Sequence, residues 1–316
     1  MKPYFHVFCL LAAAFGCVVG RAEVWQPSPG HRQIPLWPGS PPDAQPLPGP
    51  EYAVTRTSRR PQFAGKSVTG IRNVSQPTMT VFAPQVKSSG AAVVVFPGGG
   101  FQVLAIDLEG TEACRWLTSL GVTCVLVKYR VPSAPYRWQC KCYPKGDLAE
   151  SVPALEDAER TVRLVRSHAG AWHIDPHKVG VLGFSAGGFL VAELSTDFNR
   201  RLYVPVDAAD EESCRPDFAL AIYPGHLQND GTLNPLLTIS RDTPPTFLVQ
   251  AEDDYVDGVG QSLVYYSALA KAHVPAELHI YPKGGHAFGL RTTNLPITHW
   301  PGLAAAWLHR IGVIGN

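Results

Sequence analysis

Neither sign of charge prevails in this chain. Its 316 residues carry 27 Lys and Arg against 26 Asp and Glu, a net charge of +1. That balance excludes capture of nucleic acid or of an anionic membrane surface by a strong field. Metal patterns are equally scarce. Cys140-Lys141-Cys142 has no second His or Cys pair at zinc spacing, so no metal is implied. Only 17% of the residues are charged and 45% are hydrophobic, as in a globular domain long enough to bury a sizeable core.

The N-terminus has the pattern of an export signal. Lys2 supplies positive charge, Val7 to Val19 is mostly apolar, and small residues flank a cut after Ala22. The run is short for a membrane span, and no stable membrane association is expected. Competing readings are a buried N-terminal helix and a lipoprotein anchor at Cys17, which Phe15 suits badly. Cleavage leaves five cysteines. Cys114, in an expected helix, and Cys124, in an expected strand, read as buried apolar thiols. Cys140, Cys142 and Cys214 fall in loops, where an oxidising compartment permits one disulfide, from Cys214 to Cys140 or Cys142.

Residues 23–50 hold Pro27, Pro29, Pro35, Pro38, Pro41, Pro42, Pro46, Pro48 and Pro50, too many for a helix or a central strand. They read as an extended arm, pinned on the surface by Ile34-Pro35-Leu36-Trp37. Residues 51–316 read as one α/β domain, with no repeat and no internal linker. Ala53–Thr57 and Thr78–Phe82 alternate as an antiparallel edge would, whereas Ala91–Phe96 is apolar throughout, as in a strand buried on both faces. From there strands and helices alternate. Helices are expected over Glu109–Leu120, Ala154–His168, Gln261–Ala272 and Ile297–Ile311. The i,i+4 pairs Glu156/Arg160 and Glu159/Arg163 read as a solvated face of the second. Such alternation predicts a mainly parallel sheet with helices on both faces.

Chemistry concentrates at Gly183-Phe184-Ser185-Ala186-Gly187. It follows the apolar run Lys178–Leu182 and precedes a helical stretch, the strand–turn–helix context of a nucleophile elbow. A serine nucleophile needs a base, and the base an orienting acid. In an open α/β sheet these belong at the carboxyl ends of strands. One later strand ends in Glu252-Asp253-Asp254 and another in Gly284-Gly285-His286. Ser185, Asp254 and His286 are the expected set, with Asp253 as the alternative acid. The other residues of the acid run read as solvent-facing or helix-capping, and His168, His173 and His177 as surface groups. Backbone N–H groups for a developing oxyanion are expected at Ala186 and in Pro97-Gly98-Gly99-Gly100-Phe101. A phosphate cradle is disfavoured there, since no G-K-[ST] follows. Phe101 and Tyr223 read either as sugar-stacking rings or as core.

These motifs, with Ile34–Gly39, Glu109-Gly110, Lys128-Tyr129-Arg130 and Gly284–Gly289, resemble the α/β-hydrolase superfamily of esterases, and within it bacterial secreted acetyl-esterase and acetylxylan-esterase-like hydrolases. The resemblance runs from about Ile34 to the C-terminus. It implies an α/β-hydrolase fold without a large lid. It also implies a Ser185–His286–Asp254 triad, an oxyanion hole bordered by Gly99, Gly100 and Ala186, and no cofactor. The implied activity is hydrolysis of short-acyl esters of a small molecule or carbohydrate. Three features depart from the pattern: Pro97 where many esterases carry His, Gly258-Val259-Gly260 after the acid, and an insertion at 137–142. A peptidase, a lactonase and a non-catalytic binding protein are the rival readings on the same fold.

Overall fold

The computed structural model describes residues 24–44, 46–57, 60–132 and 151–315. The export pattern, Cys17, Cys140, Cys142 and the insertion at 137–142 lie outside them. Thirteen strands are found among the described residues. They are β1 (Ile34–Pro35), β2 (Tyr52–Thr57), β3 (Ser67–Arg72), β4 (Thr78–Phe82), β5 (Ala92–Phe96), β6 (Leu104–Ala105) and β7 (Thr123–Lys128). After them come β8 (Val179–Phe184), β9 (Ala219–Ile222), β10 (Gln228–Asn229), β11 (Thr232–Leu233), β12 (Thr246–Ala251) and β13 (Ala276–Tyr281).

Eight of these form one sheet in the order β1-β4-β7-β5-β8-β9-β12-β13. From β7 to β13 all neighbours are parallel, while β1 and β4 run antiparallel at one side. Every residue of β5, β7, β8 and β12 is buried. Strands so covered run mostly apolar on both faces, and each Val of β5 contributes roughly 1.5–3 kcal/mol by leaving water. The cover comes from helices Glu112–Ser119, Ser151–Ser167, Ala186–Asp197, Gly260–Lys271 and Trp300–Arg310. Because β5, β8, β12 and β13 are parallel, their carboxyl ends emerge along one edge of the sheet, where Pro97–Phe101, Ser185, Asp254 and His286 follow. Strands β2, β3 and β6 form a separate antiparallel sheet beside that edge, so the Ala53–Thr57 run pairs with β3 and not with the main sheet.

The charged face expected on the Ser151–Ser167 helix is not solvated: Glu156, Glu159, Arg160 and Arg163 are all buried. Two segments cover it. From the N-terminal arm, Leu36 and Trp37 are buried against it, the Trp37 indole donates to Asp157 (2.8 Å), and Arg160 Nε donates to the Leu36 carbonyl (3.0 Å). From the chain beyond the elbow helix, Asp210 accepts from Arg160 (3.0 Å) through its carboxylate and from Arg163 (3.2 Å) through its carbonyl. Arg130 adds an ion pair to Glu156 (2.7 Å). The i,i+4 spacing registers the pairs but not the layer lying over them. Glu159 pairs with Arg163 at 3.8 Å, and burial pushes its carboxyl up to about 8.

The cysteine expectations also change. Cys114 and Cys124 are buried, as apolar thiols would be, but they are joined in a disulfide across Cα atoms 5.2 Å apart. Gly121, at φ +79°, turns the Glu112–Ser119 helix directly back into β7 and brings the two side chains together. Cys214 is a free, buried thiol, and its expected partners Cys140 and Cys142 lie outside the described residues. It accepts from Arg163 (3.2 Å), and burial pushes it up to about 11. Replacing Cys114 and Cys124 together by Ala should lower the unfolding free energy by roughly 2–3 kcal/mol, the cost of opening so short a loop. Denaturant titration of oxidised protein against the double variant measures this, and equal midpoints would show that the bond does not stabilise the fold.

Candidate active site

Strand β8 turns into the Ala186–Asp197 helix at a single residue, Ser185, with φ +51° and ψ −120°. A non-glycine residue held there stores strain of about 1–3 kcal/mol. The glycines around it are dictated by contact. A Cβ on Gly183 would stand 2.0 Å from the Gly187 carbonyl oxygen, and one on Gly187 would stand 2.1 Å from that of Phe96. One on Gly98 would stand 2.8 Å from Ser185 Cβ. The loop after β5 therefore lies directly on the elbow.

Ser185 Oγ is 2.9 Å from His286 Nε2. On the other side of the ring, Nδ1 is 2.8 Å from Asp254 Oδ2 and 3.1 Å from Oδ1. A carboxylate can only accept, so Nδ1 carries the proton and Nε2 is left to accept from the serine hydroxyl. Asp254 also accepts from the N–H groups of Val256 (2.9 Å) and Asp257 (3.0 Å) and from Gln250 Nε2 (3.1 Å). Burial opposes charge on His286, but the hydrogen bond and charge of Asp254, with the charges of Asp257 and Glu109, hold its pKa above the ordinary 6.5.

Asp253, the alternative acid, does not reach the ring. Its Oδ1 accepts from the N–H of Gly284 (2.9 Å) and Gly285 (2.8 Å) and so shapes the loop that carries His286. The two adjacent acids divide the work, one on the imidazole and one on its loop; of the run, Glu252 is exposed. Gln62, from the connection between β2 and β3, holds the His286 carbonyl (3.1 Å). His168, His173 and His177 are exposed, as expected.

Gly99 and Gly100 have φ of +136° and +62°. Among the described residues, their N–H groups and that of Ala186 donate to nothing. All three residues border a cleft of about 490 Å³ that also contains Ser185 and His286. The Glu109–Leu120 helix expected from sequence begins earlier, as a π-helix over Ile106–Thr111. That wider turn places Glu109 inside the site, a frequent use of π-helical segments. Its buried carboxylate accepts from Gly98 N–H (2.6 Å) and from the Tyr223 hydroxyl (3.0 Å). Tyr223 in turn accepts from Gly289 N–H (3.3 Å), and its ring stands edge-on to His286. Burial raises the pKa of Glu109 against these bonds. Glu109 thus ties the glycine loop to the histidine loop beneath the serine. The sequence signalled it as the first residue of a helix and, with Gly110, as part of the family resemblance, with no role attached. Tyr223 and Phe101 are core residues: both are buried, and Phe101 packs on Tyr129 and Phe189. No cluster of His, Cys, Asp or Glu able to hold a metal occurs among the described residues.

Two family models divide the chain. One, described as BD-FAE, matches residues 79–222, and the prolyl oligopeptidase family matches residues 225–311. A solved structure of an acetyl ester-xyloside bifunctional hydrolase from Caldicellulosiruptor lactoaceticus is 32% identical, with a TM-score of 0.67, covering 90% of this chain and 97% of that one. An acetylxylan esterase from Xylanibacter ruminicola is 31% identical over 73% of this chain. An endo-1,4-beta-xylanase B from Butyrivibrio fibrisolvens is 27% identical over 64% of it. The chain spans 48% and 33% of the length of these two curated relatives. On its parallel sheet, its matched families and its likeness along nearly the whole of a solved relative, the chain belongs to the α/β-hydrolase superfamily.

Proposed function

We propose that the protein is a serine carboxylic-ester hydrolase with a preference for short acyl groups, acetyl above all, carried on a carbohydrate alcohol. The observation that carries the chemistry is the line Ser185 Oγ, His286 Nε2, His286 Nδ1, Asp254, each link at hydrogen-bond distance. The substrate class is supported by the names of the relatives, which join acetyl esters to xylosides and xylan.

Ser185 Oγ attacks the ester carbonyl carbon as its proton passes to His286 Nε2. Negative charge develops on the carbonyl oxygen, facing the N–H groups of Ala186, Gly99 and Gly100, which already lack partners. The tetrahedral species collapses, the C–O bond to the alcohol breaks, and His286 returns the proton to the leaving oxygen. Water then attacks the acyl-serine with His286 as base, and the acid leaves as Ser185 regains its proton. Asp254 holds the imidazole and stabilises its transient charge. Glu109 keeps Gly98, and with it the oxyanion donors, in place.

The match to the prolyl oligopeptidase family over residues 225–311 favours one rival, cleavage of an acyl amide. Acetyl, butyryl and long-chain esters compared with an N-acyl amino-acid amide separate the two. Export is the proposed fate, supported by the N-terminal pattern and by the Cys114–Cys124 disulfide, which needs an oxidising compartment. No helix among the described residues is long and apolar enough to cross a membrane.

Ser185→Ala should lower kcat by about 10⁴-fold or more while leaving the melting transition in place; a variant that stays active contradicts the mechanism. His286 must be neutral to accept the serine proton, and its pKa is raised, so kcat/KM should fall as pH falls through a midpoint above the ordinary imidazole value of 6.5. A midpoint at or below that value would contradict the placement of three carboxylates around the ring. Glu109→Ala should lower kcat by roughly 10–100-fold with KM little changed, because the oxyanion donors act in the transition state. A loss confined to KM would remove Glu109 from that role.

A further inference from the structure

The carboxylates of the cleft fall into two kinds. Asp254 and Glu109 each accept hydrogen bonds from the protein at both carboxylate oxygens. Asp257 does not. Its carboxylate borders the same cleft, has a side chain 13% exposed, and stands 3.9 Å from His286 Nδ1. Among the described residues it accepts no hydrogen bond. Burial raises its pKa, so holding it there is a cost that nothing in the protein offsets by bonding.

Its position is nevertheless fixed. The Asp257 N–H donates to Asp254 Oδ1 (3.0 Å), and its carbonyl accepts from Gln250 Nε2 (2.8 Å). The carboxylate lies against the backbone of Gly225, where a Cβ would come within 2.6 Å of Oδ1. Gly225 therefore leaves the room that Asp257 fills. The next residue, His226, is exposed, borders the same cleft, and is held at φ +57°, a conformation rare outside glycine. Its carbonyl is fixed by Asn234 Nδ2 (2.8 Å), and its ring stands edge-on to Phe189 of the elbow helix. His226 directly follows the glycine against which the Asp257 carboxylate lies, and both side chains line the same cleft. Two polar side chains on rigid backbone, open to the cleft and making no side-chain hydrogen bond among the described residues, form a site built for a ligand.

The reaction geometry indicates which part of the ligand this is. The carbonyl oxygen belongs at Gly99, Gly100 and Ala186, and the leaving oxygen belongs beside His286, which protonates it. Asp257 borders the cleft 3.9 Å from His286, and His226 borders it against Phe189 of the elbow helix. We infer that Asp257, with His226 beside it, is the specificity-determining site for the alcohol half of the substrate, accepting hydrogen bonds from hydroxyl groups adjacent to the ester. The two carboxylate oxygens suit a pair of neighbouring hydroxyls, as on a sugar ring, and a simple alkyl alcohol leaves them unpaired at a cost. This deepens, and rests on, the ester-hydrolase reading above.

The test compares two acetyl esters of similar ring size, a mono-O-acetyl methyl β-xylopyranoside and cyclohexyl acetate. Wild type should favour the sugar ester in kcat/KM by about tenfold or more, the discrimination of hydrogen bonds to a charged acceptor. Asp257→Asn and Asp257→Ala should each erode that ratio by about tenfold, mainly through KM for the sugar ester, and His226→Ala should erode it less. The ratio is insensitive to how much of a variant folds, and to any loss common to both esters from the altered field at His286. An unchanged ratio in both Asp257 variants, or no preference in wild type, overturns the inference and leaves the hydrolase reading standing. Hydrolysis of neither ester by wild type overturns both.

Discussion

The structure depends on one contact between backbones. At the end of β8 the chain reverses into a helix so tightly that Gly183 meets the carbonyl of Gly187, and Gly187 meets that of Phe96 in the neighbouring strand. No side chain fits at either point. The contact forces Ser185 to positive φ and lifts its hydroxyl clear of the sheet. It also sets the loop after β5 against the serine, so Ser185 and the free N–H groups of Gly99 and Gly100 are fixed by the same interaction. The parallel order of the strands does the rest, delivering Asp254 and His286 from β12 and β13 to the same edge.

Around that point the polar groups form a connected frame. Asp254 orients His286, Asp253 shapes its loop, Gln62 holds its carbonyl, and Glu109 links the glycine loop to Tyr223 and so to Gly289. Each bond is worth only about 1 kcal/mol net. Their use is geometric, since a displacement of an ångström at a reacting atom is costly in rate. A second frame, far from the chemistry, fastens the N-terminal arm to the Ser151–Ser167 helix through Trp37, Asp157 and Arg160. Such buried ion pairs add little to stability in themselves, but losing one partner is expensive.

How much of this the sequence discloses follows from the range of each signal. The elbow is legible because strand, glycines, serine and helix are contiguous. His286 is legible because two glycines after an apolar run mark a strand end. Asp254 against Asp253 is not, since adjacent residues differ only in which oxygen reaches the imidazole. The role of Glu109 is hidden, although Glu109-Gly110 is part of the family resemblance, because helical periodicity does not distinguish a π-turn from the start of an α-helix. The charges of Glu156, Glu159, Arg160 and Arg163 mislead for another reason: spacing reports one helix face and is blind to an arm that arrives from more than a hundred residues away. The Cys114–Cys124 bond is invisible to composition, because both residues sit in apolar surroundings that suit a thiol equally well. Asp257 carries no motif at all, and only the space left by Gly225 reveals that its carboxylate has a built place.

The central claim is that Ser185 is the atom-transferring nucleophile, activated by His286. Covalent trapping tests it most directly: reaction with an alkyl fluorophosphonate, followed by peptide mass mapping, in wild type and in a His286→Ala variant. The account predicts a single adduct on Ser185 in wild type, formed in step with loss of activity, and its near-absence from the variant. Inactivation with Ser185 unmodified, or an equally fast adduct without His286, would contradict it.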